Sequence, residues 1–522
     1  MFVHVCCNSS IIHLRLMNNS AKETGDWHGQ HVETGFYPPV TYLLIDDLYI
    51  ARMQGVHRVL NRPQRADQPV LQCDRPWEVG THMWFINGVL YDPDEKLFKL
   101  YYLAHDPGFR KTHPELKWEH RYAYAISADC RNWQKPELGL VDWQGSKRNN
   151  LVALPYPTGG DGPLSCVFKN AGDPDPNRRF TAFGMERYLK QPGECANTCP
   201  GGPPESEIPL ACGLYIYDSP DGLTWTRRPQ KQLSQAIVMD GTSAHGFDED
   251  LQAWILWPRA RYQPIPSQKY RTIGVSITRD LERIPYPQMA MAPDEDDPPG
   301  VDFDRLTTIK VPGGYIGMLR VGRHIVDPVK GKQGYPIECQ LAFSRDARSW
   351  SRPAGRESYL TCGPPGSFDD HSLCPANPIQ VGDEVYILSS SNTVVPGGSR
   401  IGLFTLKRDR WVAIEPIGGL PGTLQTRPTY LANQTLAVNA DASGGSIAAE
   451  LVDVLTNQPL PGYSLADCDP FTGDSLDHTI TWNGQARIPA ELIGEAYNEG
   501  LPGRVVTIRF HFEHARLFSF AC

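Results

Sequence analysis

The stretch Ser219-Pro-Asp-Gly-Leu-Thr-Trp225-Thr-Arg-Arg-Pro229 decides the fold, because the chain repeats it. An earlier copy reads Ser127-Ala-Asp-Cys-Arg-Asn-Trp133-Gln-Lys-Pro136, and a later one Ser344-Arg-Asp-Ala-Arg-Ser-Trp350-Ser-Arg-Pro353. A worn copy, Thr278-Arg-Asp-Leu-Glu-Arg-Ile284-Pro, stands between the second and third, and Leu406-Lys-Arg-Asp-Arg-Trp411 closes the series. Each copy ends a β-rich stretch. Self-similarity of this kind marks a radially repeated architecture, and five copies give five blades of a β-propeller. In each phrase the Asp suits the capping of a tight turn, and the Trp or Ile suits packing between blades.

Working outward, each unit reads as strand, acidic or glycine turn, aromatic-rich strand, loop, strand, phrase. Blade I has Gly88–Tyr91, the turn Asp92-Pro-Asp-Glu-Lys96, then Leu97–Tyr102 and Arg121–Ile126. Blade III has Thr242–Phe247, Asp248-Glu-Asp250, Gln252–Trp257 and Arg271–Ser276. Four strands per unit and five units close a ring with few exposed edges, and this favours a propeller over an open array of β-sandwiches. After Trp411 the pattern changes to regularly spaced strands such as Thr435–Asn439, Ile447–Val452 and Val505–Phe512, which read as a β-sandwich. The expected chain is thus all-β. It has an N-terminal extension over 1–40, a five-bladed propeller over 41–415 and a sandwich over 416–522.

The 522 residues carry 40% hydrophobic side chains and a net charge of −9, with 47 glycines and 46 prolines for the turns. The acidic balance argues against nucleic acid or an anionic membrane as partner and suits a neutral ligand. No run of 18 apolar residues suggests a membrane-spanning helix. The segment Met1–Leu16 is a poor signal peptide, and thirteen scattered cysteines, an odd number, lean towards a reducing compartment such as the cytoplasm. Cys195 and Cys199 share one Gly/Pro-rich loop, but no second pair follows to complete a zinc site.

The innermost strands of a propeller line a central funnel, so residues at the start of each unit's first strand face its mouth. An acid recurs there: Glu78, Asp161, Asp240, Asp302 with Asp304, and Asp369 with Asp370. Each taken singly is also ordinary turn chemistry. Two carboxyl groups across one pocket are what glycoside cleavage requires, one to protonate the leaving oxygen and one to attack or to activate water. On position, Glu78, Asp161, Asp240 and Asp370 are the expected catalytic set. Glu78 is read as general acid, Asp240 as nucleophile or base, and Asp161 as orienting the substrate. Trp77, Trp84 and Trp257 offer faces for stacking on sugar rings, or equally core packing. Arg259 and Arg320 suit hydroxyl groups or an acidic sugar, or equally are surface charges, and Asp302 suits substrate binding. His82, His245 and His371, at three blade entrances, suit either hydroxyl binding or a divalent ion.

Five such units followed by a sandwich resemble the clan of furanose-acting glycoside hydrolases: the invertase/levanase family (family 32-like) and its arabinanase relatives (family 43-like). The segment Asn87-Gly-Val-Leu-Tyr-Asp-Pro-Asp-Glu-Lys-Leu-Phe-Lys-Leu-Tyr-Tyr102 resembles their first blade. Gly462–Asp474 and Ala515–Phe520 resemble the sandwich of bacterial relatives. The resemblance covers residues 70–522. It implies a hydrolase of furanosides or related glycans that needs no cofactor. It also exposes departures. The family's nucleophile, an Asp two residues before the first-blade Asn-Gly, is replaced by Phe85. Asp173-Pro174 lacks the Arg of the second-blade Arg-Asp-Pro motif, and Glu338-Cys339 falls on a later strand than the family's Glu-Cys pair. The alternatives are a propeller that binds carbohydrate without catalysis, and a metal-assisted lyase or isomerase built on the three histidines.

Overall fold

The computed structural model describes residues 40–522 except 79–87, 105–120, 155–158, 171, 190–209, 230–232, 235–241, 261–270, 324, 327–332, 335–336, 371, 392–399, 430, 432, 490–491 and 493–505. The fold is all-β: a five-bladed propeller followed by a C-terminal sheet that nearly closes on itself.

The repeated phrase builds one kind of turn in three copies and a partial form of it in the worn one. In three copies the carboxylate of Asp129, Asp221 or Asp346 accepts from the backbone N–H groups two and three residues on, at 2.7–2.9 Å. The hydroxyl of Ser127, Ser219 or Ser344 donates to the same carboxylate at 2.9–3.1 Å. The indole of Trp133, Trp225 or Trp350 donates back to the carbonyl three residues earlier. That carbonyl belongs to a residue held left-handed: Cys130 at φ 59°, Gly222 at φ 77° and Ala347 at φ 61°. Glycine is required at 222, where a Cβ would lie 2.6 Å from the Tyr101 hydroxyl. In the worn copy Thr278 replaces the Ser, Asp280 still accepts from Glu282 N–H at 2.8 Å, and Ile284 is buried in place of the Trp.

Each phrase sits between a blade's third and outer strand and sends its aromatic side chain against the preceding blade. Trp225 of blade II meets Tyr101 of blade I edge-on at 6.0 Å, and Trp350 of blade IV meets Trp257 of blade III at 5.3 Å. Gly317 makes room for Trp350, since a Cβ there would lie 2.7 Å from its ring. Trp411 packs with Ile316 and Met318 of blade IV, and Trp133 with Leu388 and Ile401 of blade V. The ring closes through the chain's own beginning: Gln64–Arg65 and Leu71–Gln72 pair as the outer strand of blade V, against Arg400–Lys407. This pairing removes an exposed sheet edge.

The C-terminal sheet has nine strands. Its order runs Ile50–Gln54, Gly422–Thr426, Val506–Glu513, Ala437–Asp453, Arg516–Ala521, Val412–Pro416, Val56–Leu60. The two ends of that order are consecutive in sequence, joined across Gly55 at φ 65°, so the sheet wraps around a core that includes Leu451, Trp482, Ile508 and Phe510. Thr41–Leu43 also joins it, beside Arg516–Ala521. Residues 41–60, expected in the propeller, therefore pair with the C-terminal strands, and Val412–Pro416 spans the expected boundary at 415. Thr435–Asn439 and Ile447–Val452, expected as two strands, belong to one strand, Ala437–Asp453, that carries register shifts along its length.

Candidate functional site

The inner strands of the five blades are Val89–Asp92, Gly159–Lys169, Thr242–Asp248, Val301–Val311 and the pair Leu373–Pro375 with Ile379–Val381. Their later residues gather around one cavity of about 1150 Å³: Tyr91, Phe168, His245, Thr308 and Asn377 come from the five blades in turn. None of Glu78, Asp302, Asp304, Asp369 and Asp370 lines this cavity, and all of them precede or open the inner strands, towards the opposite mouth of the channel.

At that mouth the acids have different fates. Asp304 is buried between blades III and IV and pairs with four guanidinium groups: Arg259 and Arg320 closely, Arg271 at 3.0 Å and Arg305 at 3.7 Å. Burial alone would push its carboxyl up, but Arg320, Arg259, Arg305 and Arg271 hold it far below the usual carboxylate range. Asp304 is therefore a fixed anion and cannot deliver a proton near neutral pH. A register shift between Phe303 and Arg305 places it, a bulge re-aiming one side chain out of the ladder. Arg320 also donates to the carbonyl of Leu373 at 2.8 Å and so ties blades III, IV and V together. Asp302, fully buried, lies 3.9 Å from Arg271. Arg259 and Arg320, expected to bind hydroxyl groups, are thus committed to an internal ion cluster. Arg271 and Arg305 gave no signal in the sequence, because only the packing of two blades brings them to Asp304.

Glu78 lies in a short 3-10 turn, Pro76–Glu78, at the seam of blades V and I. One carboxylate oxygen accepts from the Tyr102 hydroxyl at 2.5 Å. The other accepts from Lys135 at 2.8 Å and from the N–H groups of Asp74 and Arg75 at 3.0 and 3.1 Å. All four donors belong to the fold, so the expected general acid is occupied in holding the ring seam. Trp77 is also buried there. Its indole donates to Asn150 at 2.8 Å and its ring meets Trp143 edge-on, leaving no open face for a sugar. Trp257 is buried as well and donates to Thr308 at 3.2 Å.

Neighbouring acids before blade V divide the work. Asp369 is held in a two-point pair by Arg65, at 2.5 and 2.7 Å, with the Ser367 hydroxyl on it at 2.9 Å. Gly363 packs against this group so closely that any Cβ would collide with Arg65, Ser367 and Asp369. Asp370 is left different. Its Oδ2 accepts from Gly366 N–H at 2.7 Å, while its Oδ1 is buried without a hydrogen-bond partner among the described residues.

His245 does not stand at this mouth. A register shift between Ala244 and Gly246 turns it out of the ladder, and it lines the cavity at the strand ends. Its Nδ1 is 3.2 Å from the Thr308 hydroxyl and its Nε2 is 4.0 Å from Asp248. Burial pushes its pKa down to about 4 against a smaller upward pull from Asp248, so the ring is neutral at physiological pH. Among the described residues no group of three or more His, Cys, Asp or Glu side chains is placed to hold a metal ion, and no helix is long and apolar enough to cross a membrane. Asp161 lies on the inner strand Gly159–Lys169, but its side chain falls outside the described residues. His82, Trp84, Phe85, Asp240, His371, Cys195 and Cys199 also fall outside them.

No family model and no curated protein matches the chain. Solved structures similar to it include the Bombyx mori GH32 β-fructofuranosidase, with 10% identity, TM-score 0.41, and coverage of 87% of this chain and 93% of that one. A Bacillus subtilis family 43 arabinoxylan arabinofuranohydrolase in complex with cellotetraose is similar at 11% identity and TM-score 0.36, over 84% and 95%. An N-acetylgalactosamine deacetylase from F. plautii, in complex with blood group B trisaccharide, is similar at 16% identity and TM-score 0.39, over 67% and 96%.

Proposed function

We propose that this protein is a glycoside hydrolase that cleaves a furanoside or a related glycan at the mouth where the inner strands begin. One observation carries the reading: Asp370 keeps a buried carboxylate oxygen with no donor, beside acids that are fully engaged. An unsatisfied buried acceptor costs about 1–3 kcal/mol, and a fold that retains one calls for a functional explanation. A group that transfers a proton needs an oxygen not already committed to a donor. Asp370 meets that need, whereas Glu78, Asp304 and Asp369 do not.

In this reading Asp370 takes the general acid role expected of Glu78. Its carboxyl proton goes to the glycosidic oxygen as the bond to the anomeric carbon breaks. Asp240 attacks that carbon or deprotonates the attacking water, and Asp161 orients the sugar. The reaction consumes one water, and no step needs a redox partner. The test is sugar release from a panel of 4-nitrophenyl furanosides and pyranosides and from fructan and arabinan oligosaccharides. Asp370→Asn is expected to lower kcat by about 100- to 10,000-fold with the fold retained. Sugar release undiminished in Asp370→Asn overturns the assignment. Phe85 at the family's nucleophile position favours a second reading, a propeller that binds glycans without cleaving them. Saturable glycan binding by the unmodified protein with no product from any substrate would select it.

A further inference from the structure

The opposite end of the channel is not used by the chemistry above, yet it is built as a site. Its cavity of about 1150 Å³ exceeds the ~300–1,000 Å³ of ordinary small-ligand pockets. Phe247 lines it and remains 37% exposed within a concave surface, edge-on to Trp254 at 5.7 Å. Trp254 in turn packs on Phe168 at 6.0 Å. The placement depends on one backbone irregularity. Gly246 adopts φ 107°, and any Cβ there would lie 2.8 Å from the Phe168 ring. The bulge at this glycine sends His245 and Phe247 to their positions.

The cations around the cavity are each held by two carboxylates. Lys169 is held by Asp92 and by Asp94 at 2.6 Å, and Lys310 by Asp248 at 2.8 Å and Asp250 at 2.7 Å. Asp173 accepts from Asp175 N–H at 2.9 Å and from the Asn170 amide at 3.3 Å. Glu249 adds a further carboxylate to the lining, so an anionic ligand would find no unpaired cation among the described residues. His245 adds none, being neutral; its Nδ1 bonds Thr308, and its Nε2, 4.0 Å from Asp248, makes no hydrogen bond among the described residues. Gln252 and Gln380 add side-chain amides to the lining.

We propose that the cavity where the five inner strands end is a second binding site, for a neutral sugar, with Phe247 as stacking face and His245 Nε2 as hydroxyl partner. An apolar ring face among neutral hydrogen-bonding groups matches a molecule with one C–H face and a rim of hydroxyls. The site stands apart from the hydrolase reading, being at the other end of the channel. The test titrates the full-length protein with fructose, arabinose, galactose and sucrose, with glucuronate and benzyl alcohol as charged and apolar probes. Calorimetry and tryptophan fluorescence report binding. At least one neutral sugar is expected to bind and to quench fluorescence. Phe247→Ala, at an exposed position, is expected to weaken that binding by about tenfold or more with the urea midpoint retained, and Asp370→Asn to leave it unchanged. The proposal is overturned by three results: no neutral sugar binding, binding equal in Phe247→Ala and unmodified protein, or preferential binding of glucuronate or benzyl alcohol. Loss of binding in Asp370→Asn alone assigns the sugar to the other mouth and equally overturns it.

Discussion

The two ends of the channel spend their polar groups differently. Where the inner strands begin, charges are many and mostly consumed: Asp304 by four arginines, Asp369 by Arg65, and Glu78 at the ring seam by Lys135, Tyr102 and two backbone N–H groups. Where the strands end, the lysines are each held by two carboxylates along the rim and aromatic rings and side-chain amides line the interior. A buried charge is tolerated only when paired, so a charged residue in a propeller wall is first of all a clamp between blades. The lesson is that richness in acids does not by itself locate chemistry. An acid oxygen left without a donor, Asp370 Oδ1, is more informative than the five-fold pattern of acids around it.

The sharpest way to break this contrast is Asp370→Asn, with its expected 100- to 10,000-fold loss in kcat and unchanged urea midpoint. Next comes Asp304→Ala, which leaves buried guanidinium groups around an empty place. It is expected to cost about 3–5 kcal/mol of stability, read from urea unfolding, and a midpoint within error of the unmodified protein would refute the clamp. Acid probes the other end. His245 is held near 4 while its unfolded value is near 6.5, so below pH 6.5 the unfolded chain binds the extra proton. Stability is therefore present above 6.5 and lost as pH falls towards 4, by about 2–3 kcal/mol at pH 4.5. His245→Gln is expected to remove that slope, and an unaltered slope in the variant would show that other groups set it. The smallest effect is expected for Glu78→Gln. One charged acceptor becomes an amide among four donors, costing about 1–3 kcal/mol in unfolding while kcat per folded molecule stays within about twofold. A large fall in kcat with normal stability would return Glu78 to the reaction.

The repeat was fully legible in sequence because its turn is local. Asp221 captures N–H groups two and three residues ahead, and Trp225 returns to a carbonyl three residues behind, so the geometry is written within one phrase. The strand-turn-strand units follow the same logic, and with them the blade count. The site was legible only as a set of candidates. Asp369 and Asp370 are adjacent and chemically identical, yet Arg65, about 300 residues away in sequence, claims one and leaves the other. His245 looks like a blade-entrance histidine, yet it stands mid-strand, where a bulge aims it at the cavity at the strand ends.

The sequence by itself determined the repeated turns and the all-β character and offered the acids as candidates, since these depend on neighbours a few residues apart. Only the tertiary structure decided which acids are clamps, that residues 41–60 belong to the C-terminal sheet, and that Gln64–Arg65 and Leu71–Gln72 close the ring. Those outcomes depend on partners hundreds of residues distant. The free energy of pairing a buried charge or satisfying a strand edge is set by what packs against it, and no local pattern records that.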